Sequence, residues 1–152
     1  MANIDNNLVL DSAAAITTSR DSTNVIDLSV ARDIGDGSGQ ADLEVIVQVA
    51  TTMTATSTTA TLTCAFEGST DSTTYTIFAV SDAISTASLT QGTQILNIKV
   101  PMRRLVTGDA KPRYLKLVYT CSAAFGAGNV TAWIGGDRQT NTGYPSGFTV
   151  AN

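Results

Sequence analysis

The chain has 152 residues, a formal net charge of −4, no histidine and only 14% charged side chains. That length suits a single domain, and a chain this size buries about 70% of its unfolded surface. The acidic balance argues against nucleic acid and anionic membrane surfaces as partners, since both select basic stripes, and the lack of histidine removes the usual general base of Ser and Cys hydrolases and the commonest metal ligand.

The start, MANIDNNLVLD, is polar and acidic. It lacks the basic and apolar regions of a secretory signal, and no apolar run approaches the ~18 residues that span a bilayer. The expectation is a protein made and folded in the cytosol. Residues 1–11 read as an N-terminal arm, either a loose terminus or a strand that pairs with a neighbour. Ala13 to Ala15 followed by Ile16, Thr17 and Thr18 favour a strand, because β-branched residues follow at once. Thr23 to Leu28 reads as a short strand. Arg32 to Asp42 is a Gly-rich loop with Gly35, Gly37 and Gly39.

Leu43, Val45, Val47 and Val49 alternate with Glu44, Ile46 and Gln48. The strand is apolar on both faces over its middle, which places it centrally. Thr51 to Thr63 reads as a Thr-rich loop feeding a strand from about Thr59 to Glu67. Gly68 to Thr74 is a polar turn, and Tyr75 to Val80 the next strand. Ser81 to Gly92 is loop with a short strand around Ile84. Gln94 to Val100 is a strand that Pro101 ends, and Met102 to Ala110 is a loop carrying Arg103 and Arg104.

The centre of the domain is expected in KPRYLKLVYTCSAAFGAGNVTAWIGGDR, Lys111 to Arg138. Leu115, Leu117, Tyr119 and Cys121 share one face of a first strand. Val130, Ala132 and Ile134 share one face of a second, with Thr131 and Trp133 opposite. Ser122 to Asn129, with Gly126 and Gly128, reads as the loop of a hairpin joining them. Residues 140–152 carry Tyr144 and Phe148 without periodicity, and read as a C-terminal arm that docks on something. The whole gives about eight strands in one all-β, antiparallel sandwich, jelly-roll-like, over residues 12–139.

The chemistry-bearing patterns are weak. Cys64 and Cys121 sit in apolar strand settings and read as buried free thiols, with a disulfide across the sheets left open. Glu44 and Glu67 fall on different strands and do not suggest a glycosidase pair. Asp33 to Glu44 has the span of a calcium loop, but Gly35, Gly37 and Gly39 stand where ligands are needed. No catalytic, cofactor or metal residue is assigned, and the chain is not read as an enzyme.

Four segments carry a resemblance. DNNLVLDSAAAIT (Asp5 to Thr17), STNVIDL (Ser22 to Leu28), RYLKLVYT (Arg113 to Thr120) and GNVTAWIGGDRQ (Gly128 to Gln139) resemble, in order and spacing, a family of small capsid cement, or decoration, proteins of tailed bacteriophages. None of these motifs is catalytic. The Gly-rich loop and the segment after Gln139 depart from the pattern. The resemblance implies a jelly-roll-like fold on the outer surface of an assembled head, in the virion. It implies a structural role, bridging neighbouring subunits of the major capsid protein, and a homo-oligomer, dimer or trimer.

On that resemblance the arms are the candidate contacts: Asn3, Ile4, Leu8 and Leu10 at one end, Tyr144 and Phe148 as aromatic anchors at the other, with Arg103 and Arg104 as polar rim contacts. The alternative is a carbohydrate- or protein-binding β-sandwich, lectin-like or from a fibre, in which Trp133 and Tyr114 stack on sugar rings.

Overall fold

The computed structural model describes residues 5–31, 43–100 and 110–135. In chain order the strands are β1 Val9–Ala15, β2 Arg20–Asp21, β3 Ile26–Asp27, β4 Glu44–Ala55, β5 Thr61–Ser69, β6 Thr76–Val80, β7 Ile84–Ser85, β8 Gln94–Lys99, β9 Tyr114–Cys121 and β10 Phe125–Gly135. Two 3₁₀ turns, Asn6–Leu8 and Thr86–Ser88, are the helical pieces among the described residues.

The pairings among these ten strands are antiparallel and fall into two sheets. The front sheet has the order β1-β10-β4-β8. The back sheet has the order β2-β9-β5-β6, with β3 also on β9 and β7 also on β5. The chain therefore starts in front, passes to the back with β2 and β3, returns with β4, goes back for β5 to β7, comes forward for β8, back for β9 and forward for β10. The jelly-roll-like expectation is compatible with this repeated crossing.

The alternation that marked the strands on the sequence is the alternation that packs them. Leu62, Cys64 and Phe66 of β5 and Leu115, Leu117 and Tyr119 of β9 point inward from the back sheet. They meet Val45, Val47 and Val49 of β4 and Val130, Ala132 and Ile134 of β10 from the front. These side chains form one continuous core, the sandwich arrangement. β4 is central, as its two apolar faces implied.

The hairpin expected between Lys111 and Arg138 does not exist. β9 pairs with β2, β3 and β5 in the back sheet, while β10 pairs with β1 and β4 in front. Ser122 keeps to the back sheet, its hydroxyl accepting from Thr61 N at 2.8 Å, and Phe125 N then donates to Thr17 O at 2.8 Å as the chain enters the front. Ser122 to Ala124 is thus an arch over the edge of the core. Each of the two strands is nevertheless central in its own sheet.

Other boundaries moved. Thr51 to Ala55, expected as loop, continues β4: Met53 is buried while Thr52 and Thr54 face water. Thr23 to Leu28 contains only the two-residue β3, and Arg20–Asp21 supplies a strand the sequence did not announce. Cys64 and Cys121 are free thiols. They lie on adjacent strands of one sheet, Cys64 opposite Tyr119 and Cys121 opposite Leu62, so they are not placed across the sheets from one another. Cys64 is buried, whereas Cys121 is half-buried.

Candidate interaction surface

The N-terminal strand is built into the domain by a buried carboxylate. Between Val9, opposite Trp133, and Asp11, opposite Ala132, β1 carries one extra residue. This bulge turns Leu10 and Asp11 inward together, and both are fully buried. Asp11 is then surrounded by donors. Its Oδ1 accepts from Arg20 Nη2 at 2.6 Å, Thr23 Oγ1 at 2.6 Å and Thr23 N at 2.9 Å, and its Oδ2 accepts from the Tyr119 hydroxyl at 2.8 Å. The Arg20 guanidinium lies 5.6 Å from the centre of the Tyr119 ring. Burial, and next the neighbouring Cys64 and Asp11, push the Tyr119 hydroxyl far above its ordinary value, so it stays a donor. The Cys64 thiol is pushed up as well, by burial and then by Asp11, which makes it an inert core group.

The outer face of the back sheet is a chequered surface. Lys116 lies at its centre with a side chain only 14% exposed, and its Nζ reaches Asp21 Oδ2 at 2.7 Å, Glu67 Oε2 at 3.7 Å and the Tyr75 ring at 4.1 Å. Burial works against its charge, but the bond to Asp21 and the charges of Asp21 and Glu67 outweigh it, and its pKa rises. Nearby, Arg113 forks onto Asp27 through Nε at 2.8 Å and Nη2 at 2.9 Å, and its guanidinium covers the Tyr114 ring at 4.9 Å. The hydrogen bond from Arg113 holds the Asp27 carboxyl below the ordinary range.

At the β6 margin this face becomes apolar. β6 pairs with β5 through Val80 with Ala65, Ala79 with Phe66, Ile77 with Glu67 and Thr76 with Gly68, which leaves Phe78 as an extra residue. Phe78 turns into the core and meets Phe66 edge to face at 5.9 Å. Ile77 and Val80, opposite the outward Glu67 and Ala65, both point outward and are each 53% exposed. The β5–β6 turn below them is stiff. Asp71 Oδ1 accepts from Thr73 N at 2.9 Å, Thr74 N at 2.8 Å and Ser69 Oγ at 2.9 Å. Those bonds, the backbone ones first, hold the Asp71 carboxyl far below its ordinary value.

Of the contacts expected from the arms, Leu10 is corrected: it belongs to the domain's own core and offers no outward surface. Leu8 is half-buried and packs against that core. Asn3, Ile4, Arg103, Arg104, Tyr144 and Phe148 lie outside the described residues, as does the Gly-rich loop, Arg32 to Asp42. Glu44 and Glu67 stand on opposite sheets. Trp133 is 9% exposed and lies beside Gly135, where an added Cβ would sit 3.2 Å from its ring. With Tyr114 covered by Arg113, neither aromatic is an open platform for a sugar ring.

Sequence reasoning missed Ile77 and Val80. Strict alternation assigns residues three apart to opposite faces, and only the bulge brings these two together. Asp11 was missed too, although an acid inside an apolar strand is a signal for a buried partner.

A family model described as Bbp16 matches residues 10–134, from β1 to the end of β10, and so spans the sandwich. No curated protein matches the chain.

Proposed function

Because this chain belongs to the Bbp16 family, whose match covers two of the segments that resemble phage decoration proteins in full and the other two in part, we propose that it is a structural protein of a tailed-phage head. In this reading it binds the outer surface of the assembled shell and braces neighbouring copies of the major capsid protein. The observation that carries the proposal is how the described polar and apolar groups are divided. Asp11, Asp27, Lys116 and Asp71 are bound within the domain, while exposed Ile77 and Val80 gather at one sheet margin. That division suits a rigid block that adheres. Many identical weak contacts on a symmetric lattice then add by avidity. Asn3 and Ile4 at the N-terminal end, and Tyr144 and Phe148 at the C-terminal end, remain the proposed shell contacts.

The test is co-sedimentation of the purified protein with assembled shells that lack it. Saturable binding to the shell supports the proposal, and a truncation of residues 140–152 should weaken it. Absence of binding by the full chain overturns it.

A further inference from the structure

The outer faces of the two sheets are not alike. On the back sheet Ala65 of β5 lies opposite Val118 of β9, both turned away from the core, and both are half-buried, as side chains on an open face are. On the front sheet Ile46 of β4 lies opposite Trp133 of β10, both turned away from the core by alternation with Val45, Val47, Ala132 and Ile134. Yet Ile46 is 2% exposed and Trp133 9%, and Gln48, the next outward residue of β4, is buried too. Neither Ile46 nor Trp133 is among the side chains of the central core. Something shields them from outside, and the described residues hold no third sheet and no α-helix to do it.

Four stretches of the chain lie outside the described residues: 1–4, 32–42, 101–109 and 136–152. The two internal ones join opposite sheets, 32–42 between β3 at the back and β4 in front, and 101–109 between β8 in front and β9 at the back. Each has to span the ~10 Å between the layers. Residues 1–4 lead into the edge strand β1, which β10 separates from β4. Residues 136–152 are bound to no such crossing. They leave β10 just past Trp133, on a strand paired directly with β4. The indole lies toward that exit: a Cβ at Gly135 would sit 3.2 Å from its Cδ1 and 3.3 Å from its Nε1. Strands are ~4.8 Å apart, so a few extended residues cross from β10 over β4. The segment also carries Tyr144, Phe148 and Val150.

We infer that residues 136–152 fold back over the outer face of the front sheet of their own chain and set the Tyr144 and Phe148 side chains against Ile46 and Trp133. Aromatic side chains there remove from water an apolar pair that a sandwich otherwise leaves outside its core. The segment is tethered to β10 next to the face it covers, so its effective concentration there is high and weak contacts suffice to hold it. The seating concerns the free protein and does not depend on the capsid reading. Contact of Tyr144 and Phe148 with a shell then requires the segment to leave this face, so the two aromatics stay shielded until a partner takes them.

Trp133 is the chain's one tryptophan, so its fluorescence reads this face alone. The test compares the full chain with a chain ending at Gly135 and with a full-length Tyr144→Ser, Phe148→Ser variant, with circular dichroism to show which of them fold. The expected result is blue-shifted emission in the full chain, and in both variants emission moved to the red with acrylamide quenching raised. If the shortened chain does not fold, the double variant decides. A folded variant whose Trp133 stays as shielded as in the full chain overturns the inference. So does full-chain emission that moves to the red on dilution, because a second copy of the chain would then be the cover.

Discussion

Tyr119 donates its hydroxyl hydrogen to Asp11 across 2.8 Å, and that buried bond ties the central strand of the back sheet to the edge strand of the front one. The same carboxylate holds Arg20 and Thr23, so one side chain organises the N-terminal strand, the crossover and the core. Removing it strands the buried Tyr119 hydroxyl away from water and leaves the partly exposed Arg20 without its ion-pair partner. Asp11→Ala should lower stability by about 3–5 kcal/mol, as when one partner of a buried ion pair is lost. Tyr119→Phe removes one bond and should cost about 1–3 kcal/mol. Denaturant unfolding of the two variants beside the parent chain measures both. Equal, small losses would mean that the cluster contributes little.

Gly128 lies at φ 135°, and a Cβ there would sit 2.4 Å from Met53 Cγ and 2.8 Å from Met53 Cα. Both the backbone and the space require glycine. Gly128→Ala should destabilise by about 2 kcal/mol or more, with the strain of positive φ added to overpacking. Thermal unfolding checks this. By contrast, Gly126→Ala meets nothing closer than 3.5 Å and should be nearly neutral.

Asp71 supplies a pH signature. Its carboxyl is held below the ordinary value of 3.8 by the Thr74 and Thr73 amides and the Ser69 hydroxyl. A depressed folded-state pKa stabilises the fold above the unfolded value, and the contribution is lost as pH falls through the folded one. The stability difference between the parent chain and Asp71→Asn should therefore be full at neutral pH and shrink as pH drops below about 4. Unfolding curves for both proteins between neutral and strongly acid pH measure it. A difference that grows on acidification would contradict the assignment.

The sequence made the strands legible but not their partners. Period two told which residues of β9 and β10 face the core, and Leu115, Leu117, Tyr119, Val130, Ala132 and Ile134 are all buried. It could not tell a hairpin from an arch, because the same alternation serves both. The composition of Thr51 to Thr63 suggested a loop, yet threonine on the water face of a strand is what β4 uses around Met53. Two bulges hid the rest. One buries both Leu10 and Asp11, and the other sets Ile77 and Val80 on one face. Each breaks the alternation from which faces are read, and neither leaves a glycine or proline to mark it.

The most direct test of the proposed role is the copy number of this chain in purified particles from its source, measured by quantitative mass spectrometry against the major shell protein. The account predicts a fixed ratio near unity or a small whole-number fraction, as a lattice component requires. A handful of copies per particle, or none, would contradict it.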